Sequence, residues 1–279
     1  MRFVYNILFL IGFGLSAPFY FLKMWRRGNW TAGFAQRFGI YDGKIKQALT
    51  NRHVIWFHAV SVGEVNVCAQ LIQALEPRVP NLKIVVSTTT STGMAELKKR
   101  LPTDVTKIYY PVDRRKFVRR ALSTIAPEAI VLVEAEIWPN FLWRAIDKEI
   151  PLLLVNARLS DKSFRGYKRF QFLFRPIFNR FCGVGAQNKS DAKKLIELGF
   201  CPETVRTLGN LKFDAVKVDS AKALDISALL KQLGVNENAR VLVAGSTHSG
   251  EEKILAGIFL RLKKRFPDLF FILVPRHVE

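Results

Sequence analysis

Glu64 closes the string Phe57-His58-Ala59-Val60-Ser61-Val62-Gly63-Glu64, where an apolar run ends, small residues turn the chain and a helical pattern begins. A carboxylate there lies at the carboxyl edge of a strand, where open α/β sheets hold their ligands, and can serve as a general base toward a hydroxyl nucleophile. The same spacing, Ser61-x-x-Glu64, is also a capping box, with the glutamate closing back on the Ser61 amide. Both readings stand on these residues alone. Val133-Glu134-Ala135-Glu136-Ile137-Trp138-Pro139 sets two acids directly after an apolar run. Two apart in extended chain they point to one side, and they repel one another unless hydroxyls or basic groups meet them; a solvated strand end is the alternative.

Two further strings suit an anion. Ala244-Gly245-Ser246-Thr247-His248-Ser249-Gly250-Glu251-Glu252 is a small-residue loop between strand-like and helical patterns, whose amides and helix N-terminus fit a phosphate at Ser246 and Thr247. It lacks the Gly-Lys-Ser/Thr of a Walker loop, no G-x-G-x-x-G occurs elsewhere, and Ser249-x-x-Glu252 also reads as a simple cap. Pro275-Arg276-His277 ends the next apolar run on the same edge. Arg276 could hold a phosphate bidentately and His277 add a donor, although a lone Arg-His pair also suits a solvated strand end. Beside the Ser/Thr loop it forms an anion cradle.

These residues need a parallel sheet beneath them. Strand-like runs fall at Val54–Val60, Lys83–Thr89, Lys107–Pro111, Ala129–Glu134, Pro151–Asn156 and Cys182–Ala186. Helical spacing covers Glu64–Leu75, Thr92–Leu101, Arg114–Ile125 and Asn140–Lys148 between them, which predicts βαβ units in a doubly wound domain ending near Gly209. A second unit follows: strand Arg240–Ala244, helix Glu251–Arg265, strand Leu269–Val274. One such unit cannot cover both faces of its own sheet, so either it extends the first sheet or, the favoured expectation, the chain is the front part of a longer protein.

Composition bounds the partners. The chain has 279 residues, 49% hydrophobic and 24% charged, which excludes disorder. Lys and Arg number 43 against 23 Asp and Glu, a formal charge of +20 that calls for an anionic partner, nucleic acid or lipid. Cys68, Cys182 and Cys201 are odd in number and widely spaced, so neither a disulfide framework nor a structural zinc site is expected, and a reducing compartment is. Phe3–Leu22 is a run of twenty residues without a formal charge, about 30 Å as a helix. Lys23, Arg26 and Arg27 follow it, with Trp25 and Trp30 at the exit, which makes it an anchor and puts the body on the cytoplasmic side. Gly12, Gly14 and Pro18 weaken a straight span, so a helix lying in the interface stays open, as does a cleaved signal peptide. Basic tracts at Lys98–Arg120 and Arg158–Arg180, the second interleaved with Phe164, Tyr167, Phe170, Phe172, Phe174 and Phe178, suit lipid headgroups or stacked bases, or else a solvated face with some core aromatics. The anchor decides for lipid.

Taken in order, eight strings resemble the 3-deoxy-D-manno-octulosonic acid (Kdo) transferases of lipopolysaccharide assembly. They are His58-Ala59-Val60-Ser61-Val62-Gly63-Glu64, Ser87-Thr88-Thr89-Thr90-Ser91-Thr92-Gly93, Tyr110-Pro111-Val112-Asp113 and Glu134-Ala135-Glu136-Ile137-Trp138-Pro139-Asn140. The others are Asn156-Ala157-Arg158-Leu159-Ser160, Gly209-Asn210-Leu211-Lys212-Phe213-Asp214, Gly245-Ser246-Thr247-His248 and Pro275-Arg276-His277. The resemblance implies a GT-B glycosyltransferase of α/β class: an anchor at 1–23, a basic and aromatic linker at 24–52, a Rossmann-like acceptor domain at 53–210 and an incomplete nucleotide-sugar domain at 211–279, the two domains facing across a cleft. It further implies CMP-Kdo as donor, the lipid A precursor lipid IV(A) as acceptor, no cofactor or metal, and a place at the cytoplasmic face of the bacterial inner membrane among anionic lipids, with no nucleic acid bound.

Under the same resemblance Glu64 is the base of an inverting displacement. Ser61, Glu134, Glu136 and Arg158 face the acceptor or the cleft, while Lys212, Ser246, Thr247, Arg276 and His277 hold the donor and the departing CMP. One departure stands out: relatives continue past the Pro-Arg-His string with a Gly-rich segment and an Asn-x-x-Glu-Pro element that this chain does not contain, so the chain alone is expected to be a nearly inactive fragment. A GT-B enzyme using another nucleotide sugar, and a membrane-tethered nucleic-acid binder, are the competing readings.

Overall fold

The computed structural model describes residues 1–26, 31, 33–79, 81–134, 136–211, 225–236 and 238–276. It divides into two compact units, Met1–Val216 and Lys217–Glu279. The first opens with α1 (Arg2–Arg26), a short 3-10 turn at Ala35–Phe38 and α2 (Gly43–Leu49), so the segment expected to be a linker carries structure of its own. Strands and helices then alternate: β1 (His53–His58), α3 (Val62–Leu75), β2 (Leu82–Thr88), α4 (Ser91–Arg100), β3 (Thr106–Tyr109), α5 (Arg115–Ile125), β4 (Ala129–Val133), α6 (Pro139–Asp147) and β5 (Leu152–Ala157). After β5 come α7 (Asp161–Arg169), α8 (Gln171–Phe178), β6 (Phe181–Ala186), α9 (Lys189–Leu198) and β7 (Val205–Thr207). The seven strands form one sheet in the order β3-β2-β1-β4-β5-β6-β7, and every pairing is parallel.

A parallel sheet covered on both faces needs apolar residues in both registers of each strand. Trp56, Val85, Ile130, Leu132, Leu152 and Leu154 enter the core under α5, α6, α8 and α9. Phe57, Ile84, Val86, Val131 and Val133 enter a second core under α3 and α4. The aromatic tract at 158–180 resolves into α7 and α8. Phe164, Tyr167, Phe174 and Phe178 pack into or against the first core, and only Phe170 and Phe172 stand exposed. Most of these rings thus serve packing, which corrects the view of the tract as a stacking or headgroup surface.

The second unit contains α10 (Ile226–Gln232), β8 (Val241–Thr247), α11 (Glu251–Arg265) and β9 (Phe270–Pro275), with β8 and β9 paired in parallel. Two strands and one crossover helix leave Val243 62% and Val274 51% exposed.

Candidate functional site at the β1–β4 switch

In the first sheet the chain leaves β1 toward β2 on one side, while β4 and β5 lie on the other. The carboxyl ends of β1 and β4 therefore flank the point where strand order reverses, the position at which doubly wound sheets hold ligands. The β1–α3 turn carries Glu64 into it. Ser61, extended at the start of α3, accepts a hydrogen bond from the Glu64 amide at 3.3 Å, and Glu64 Oε2 accepts one from the Val60 amide at 2.8 Å. The capping box forms, but it closes on Val60, one residue earlier than the Ser61 amide the spacing predicts. The residue is only 6% exposed. Burial raises the Glu64 carboxyl above the ordinary carboxylate range against the lowering effect of these two hydrogen bonds, and the charges of Glu134 and Glu136 raise it further. One carboxylate thus caps α3 and stands buried within reach of two further acidic charges.

Glu134 leaves β4 with φ at +61°, and its amide donates to the Val155 carbonyl at 2.9 Å. A non-glycine residue in that region carries strain that the surroundings must hold. The extended geometry assumed for Glu134 and Glu136 is therefore replaced by a turn. Both acids still lie near enough to Glu64 for their charges to raise its carboxyl. Burial raises the Glu136 carboxyl, and the Trp138 indole, donating at 3.1 Å, opposes it. Arg158 stands exposed just beyond β5, the strand next to β4.

Asn156, with no role legible in the sequence beyond its string, is the penultimate residue of β5, at φ +53°. It is buried; its Oδ1 accepts from the Leu211 amide at 3.1 Å, and its Nδ2 has no partner among the described residues. Only its place at the carboxyl end of an apolar run marked it. His58, at the end of β1, is fully buried, with Nδ1 2.9 Å from Ser87 Oγ and its ring stacked on Tyr110 at 4.0 Å. Burial holds its pKa down to about 3, so it is neutral and serves as part of the floor. Gly93 closes that floor from the side of α4, where a Cβ would lie 2.2 Å from Thr88 Oγ1 and 3.1 Å from the Val60 carbonyl.

In the second unit Ser246 takes φ +58°, Thr247 is buried, and the Arg276 amide donates to the Thr247 carbonyl at 3.0 Å. The Arg276 guanidinium lies 3.5 Å from His248 Nε2. The small-residue loop and the arginine expected to form an anion cradle are thus adjacent. Helix α11 starts from Gly250 without a side-chain cap, and Glu251 accepts from the His248 amide at 2.8 Å, so Ser249 is not the cap that its spacing offered. Lys212 and His277 lie outside the described residues, as does Ala135.

Residues 32–215 match the family described as 3-Deoxy-D-manno-octulosonic-acid transferase (kdotransferase). The chain belongs to the Kdo transferase family. A 3-deoxy-D-manno-octulosonic acid transferase of Rickettsia bellii is 35% identical over 246 residues, which cover 88% of this chain and 56% of that protein. One from Haemophilus influenzae is 29% identical over 280 residues, 100% of this chain and 64% of its own length. The chain therefore spans about three-fifths of these Kdo transferases. Among solved structures, a UDP-GlcNAc 2-epimerase from Neisseria meningitidis superposes with TM-score 0.54 at 17% identity over 81% of this chain and 66% of its own. A glycosyltransferase from Rickettsia africae gives 0.52 at 13% identity over 81% of this chain and 61% of its own. At such identities the likeness shows the fold, the GT-B type of Rossmann-like architecture, and not the chemistry.

Proposed function

We propose that the protein of which this chain is part transfers Kdo from CMP-Kdo to a lipid A precursor at the cytoplasmic face of the inner membrane. Glu64 takes the proton from the acceptor hydroxyl as its oxygen bonds to the anomeric carbon of Kdo. The bond from that carbon to the phosphate oxygen breaks on the opposite side, with inversion, and CMP leaves with the electron pair. Glu134 and Glu136 orient acceptor hydroxyls and keep Glu64 basic; Ser61 fixes its backbone, and Arg158 meets an acceptor phosphate. Ser246, Thr247 and Arg276, with Lys212 and His277 by resemblance, bind the phosphate of CMP and steady its departing charge.

The observation that carries this reading is the gathering of three carboxylates at the switch point, one of them buried with a raised pKa. A purely structural site gains nothing from such mutual repulsion. The test is Kdo transfer from CMP-Kdo to lipid IV(A) in membranes of cells expressing the gene, with Glu64→Gln beside the native residue. A base role predicts a loss of about a hundredfold or more at unchanged stability. Retained turnover would leave Glu64 a cap, whose loss costs at most about 1 kcal/mol. CMP and UDP compared as competitors separate this donor from another nucleotide sugar.

A further inference from the structure

Helix α1 is long and apolar enough to cross a bilayer, and none of its candidate span is buried. Its first turns, however, are seated on the globular body. The Arg2 guanidinium bridges the Asp147 carboxylate at the end of α6 with two bonds, at 2.8 and 3.0 Å. Tyr5 Oη donates to Asp113 Oδ2 at 2.7 Å, and Asn6 and Asn140 exchange amide hydrogen bonds at 3.2 and 3.1 Å. The Tyr5 ring meets Trp143 edge-on at 5.4 Å, and Arg2 lies over the same indole. These partners all belong to α6 or to the loop before α5.

The far side of α1 returns to the same body. Gly33 is pressed so closely on the Tyr109 ring that a Cβ would lie 2.1 Å from it. Gln36 accepts from the Tyr109 amide at 2.8 Å, and Arg37 donates to the Thr89 carbonyl at 2.7 Å. A chain that begins and ends on one side of a bilayer crosses it an even number of times. Among the described residues α1 is the one helix able to cross, and a non-helical return through hydrocarbon would strand its backbone donors. The number of crossings is therefore zero.

We propose that α1 lies along the surface of an anionic lipid bilayer, pinned by its N-terminal turns to α6, and does not span it. Charge supports the occupant. Residues 1–41 contain no Asp or Glu and five Lys or Arg. Next to the docked end, Arg114, Arg115, Lys116, Arg119 and Arg120 are exposed on or beside α5, which packs against α6. Phe3, Leu8, Leu15 and Phe19 of α1 are each more than 60% exposed, an apolar surface that acyl chains cover and water does not. The seat also has a direction. Asp113 Oδ2 and Oδ1 accept from the Asn140 and Phe141 amides at 3.0 and 2.8 Å and so cap α6, which starts directly after the loop bearing Glu134 and Glu136. The bilayer plane is thereby held at a set distance from those acids. The proposal deepens the reading above and rests on it only for the lipid nature of the acceptor.

The test places a protease-sensitive epitope tag before Met1 and compares spheroplasts with inverted inner-membrane vesicles. The expected result is a tag that survives protease in spheroplasts and is cut in inverted vesicles. Cutting in spheroplasts would make α1 a span and overturn the proposal, and resistance on both faces would overturn it by placing the end inside the bilayer. Flotation on vesicles of phosphatidylglycerol and phosphatidylethanolamine tests the surface itself. Arg119→Ala should weaken binding about fivefold, and no flotation by the native chain would refute lipid as the occupant while leaving the transfer assay above to judge the enzyme reading.

Discussion

Glu134 sits at φ +61° at the carboxyl end of β4. Glycine there should make the protein more stable than alanine does. Each substitution removes the same carboxylate, so the change in repulsion on Glu64 and Glu136 cancels between them and the backbone term is left. An L-residue in the left-handed region costs about 1–2 kcal/mol, while glycine loses about 0.5–1 kcal/mol more entropy on folding than alanine. The difference favours Glu134→Gly by about 0.5–1 kcal/mol, which is about 1–4 °C in Tm for a unit of this size. Urea unfolding of both variants in detergent, followed by tryptophan fluorescence, gives the comparison directly. If Glu134→Ala proves equal to or more stable than Glu134→Gly, the turn after β4 is not strained as described. Kdo transfer should fall in both, because the carboxylate is absent from both.

Gly93→Ala should destabilise the first unit by about 1–3 kcal/mol, because its Cβ would meet Thr88 Oγ1 at 2.2 Å; Thr88→Ala in the same chain should restore much of that in urea unfolding, since Thr88 Oγ1 has no partner among the described residues. Burial raises the Asp113 carboxyl to about 6 despite its donors, so its contribution is fully present below pH 4 and is lost as pH rises through 6, about 3 kcal/mol in all. Asp113→Asn cannot ionise, so its stability deficit relative to the native chain should shrink between pH 4 and pH 7; a deficit that grows with pH would refute the assignment.

The sheet was legible because its strands are buried on both faces. Apolar runs such as Ala129–Val133 read as parallel strands without any periodicity, and their spacing matched βαβ units. What escaped were pieces whose signal is weak or tertiary. Val205–Thr207 is three residues long, and α7 and α8 hid inside a tract whose basic residues drew attention from its ring spacing. Among the candidate residues, Glu64, Glu134 and Glu136 of the first unit stood out as acids after apolar runs, and Ser246 and Arg276 of the second as a loop and a fork on one edge. Asp113 did not, because its work is done 27 residues away on the amides of α6. There was an indirect sign. Trp138-Pro139 starts that helix with no residue able to cap it, so the cap had to come from elsewhere in the chain.

Seven non-glycine residues among those described take positive φ: Asn51, Asn81, Ala126 and Glu149 in the turns before β1 and β2 and after α5 and α6, and three at strand ends. Those three are Glu134, Asn156 and Ser246, each next to the carboxyl-terminal residue of a strand, β4, β5 or β8. Glu134 turns the chain out of its ladder, whereas pairing resumes after Asn156 at Ala157 and after Ser246 at Thr247, so these two make bulges near the ends of β5 and β8; asparagine tolerates the left-handed region better than glutamate or serine does. The polar cluster at α6 also goes against a local preference. A buried carboxylate, Asp113, is kept for the amides of a helix and for a tyrosine of α1, although burial works against its charge. That expense is intelligible if the position of α1 must be registered against the loop of Glu134 and Glu136. An apolar packing between α1 and α6 could hold the helix as firmly, but it would let the helix slide or turn, and the paired hydrogen bonds at Arg2, Tyr5 and Asn6 would not. The strained residue after β4 and the polar seat under α1 thus lie at the two ends of one loop, and both fix where Glu134 and Glu136 stand.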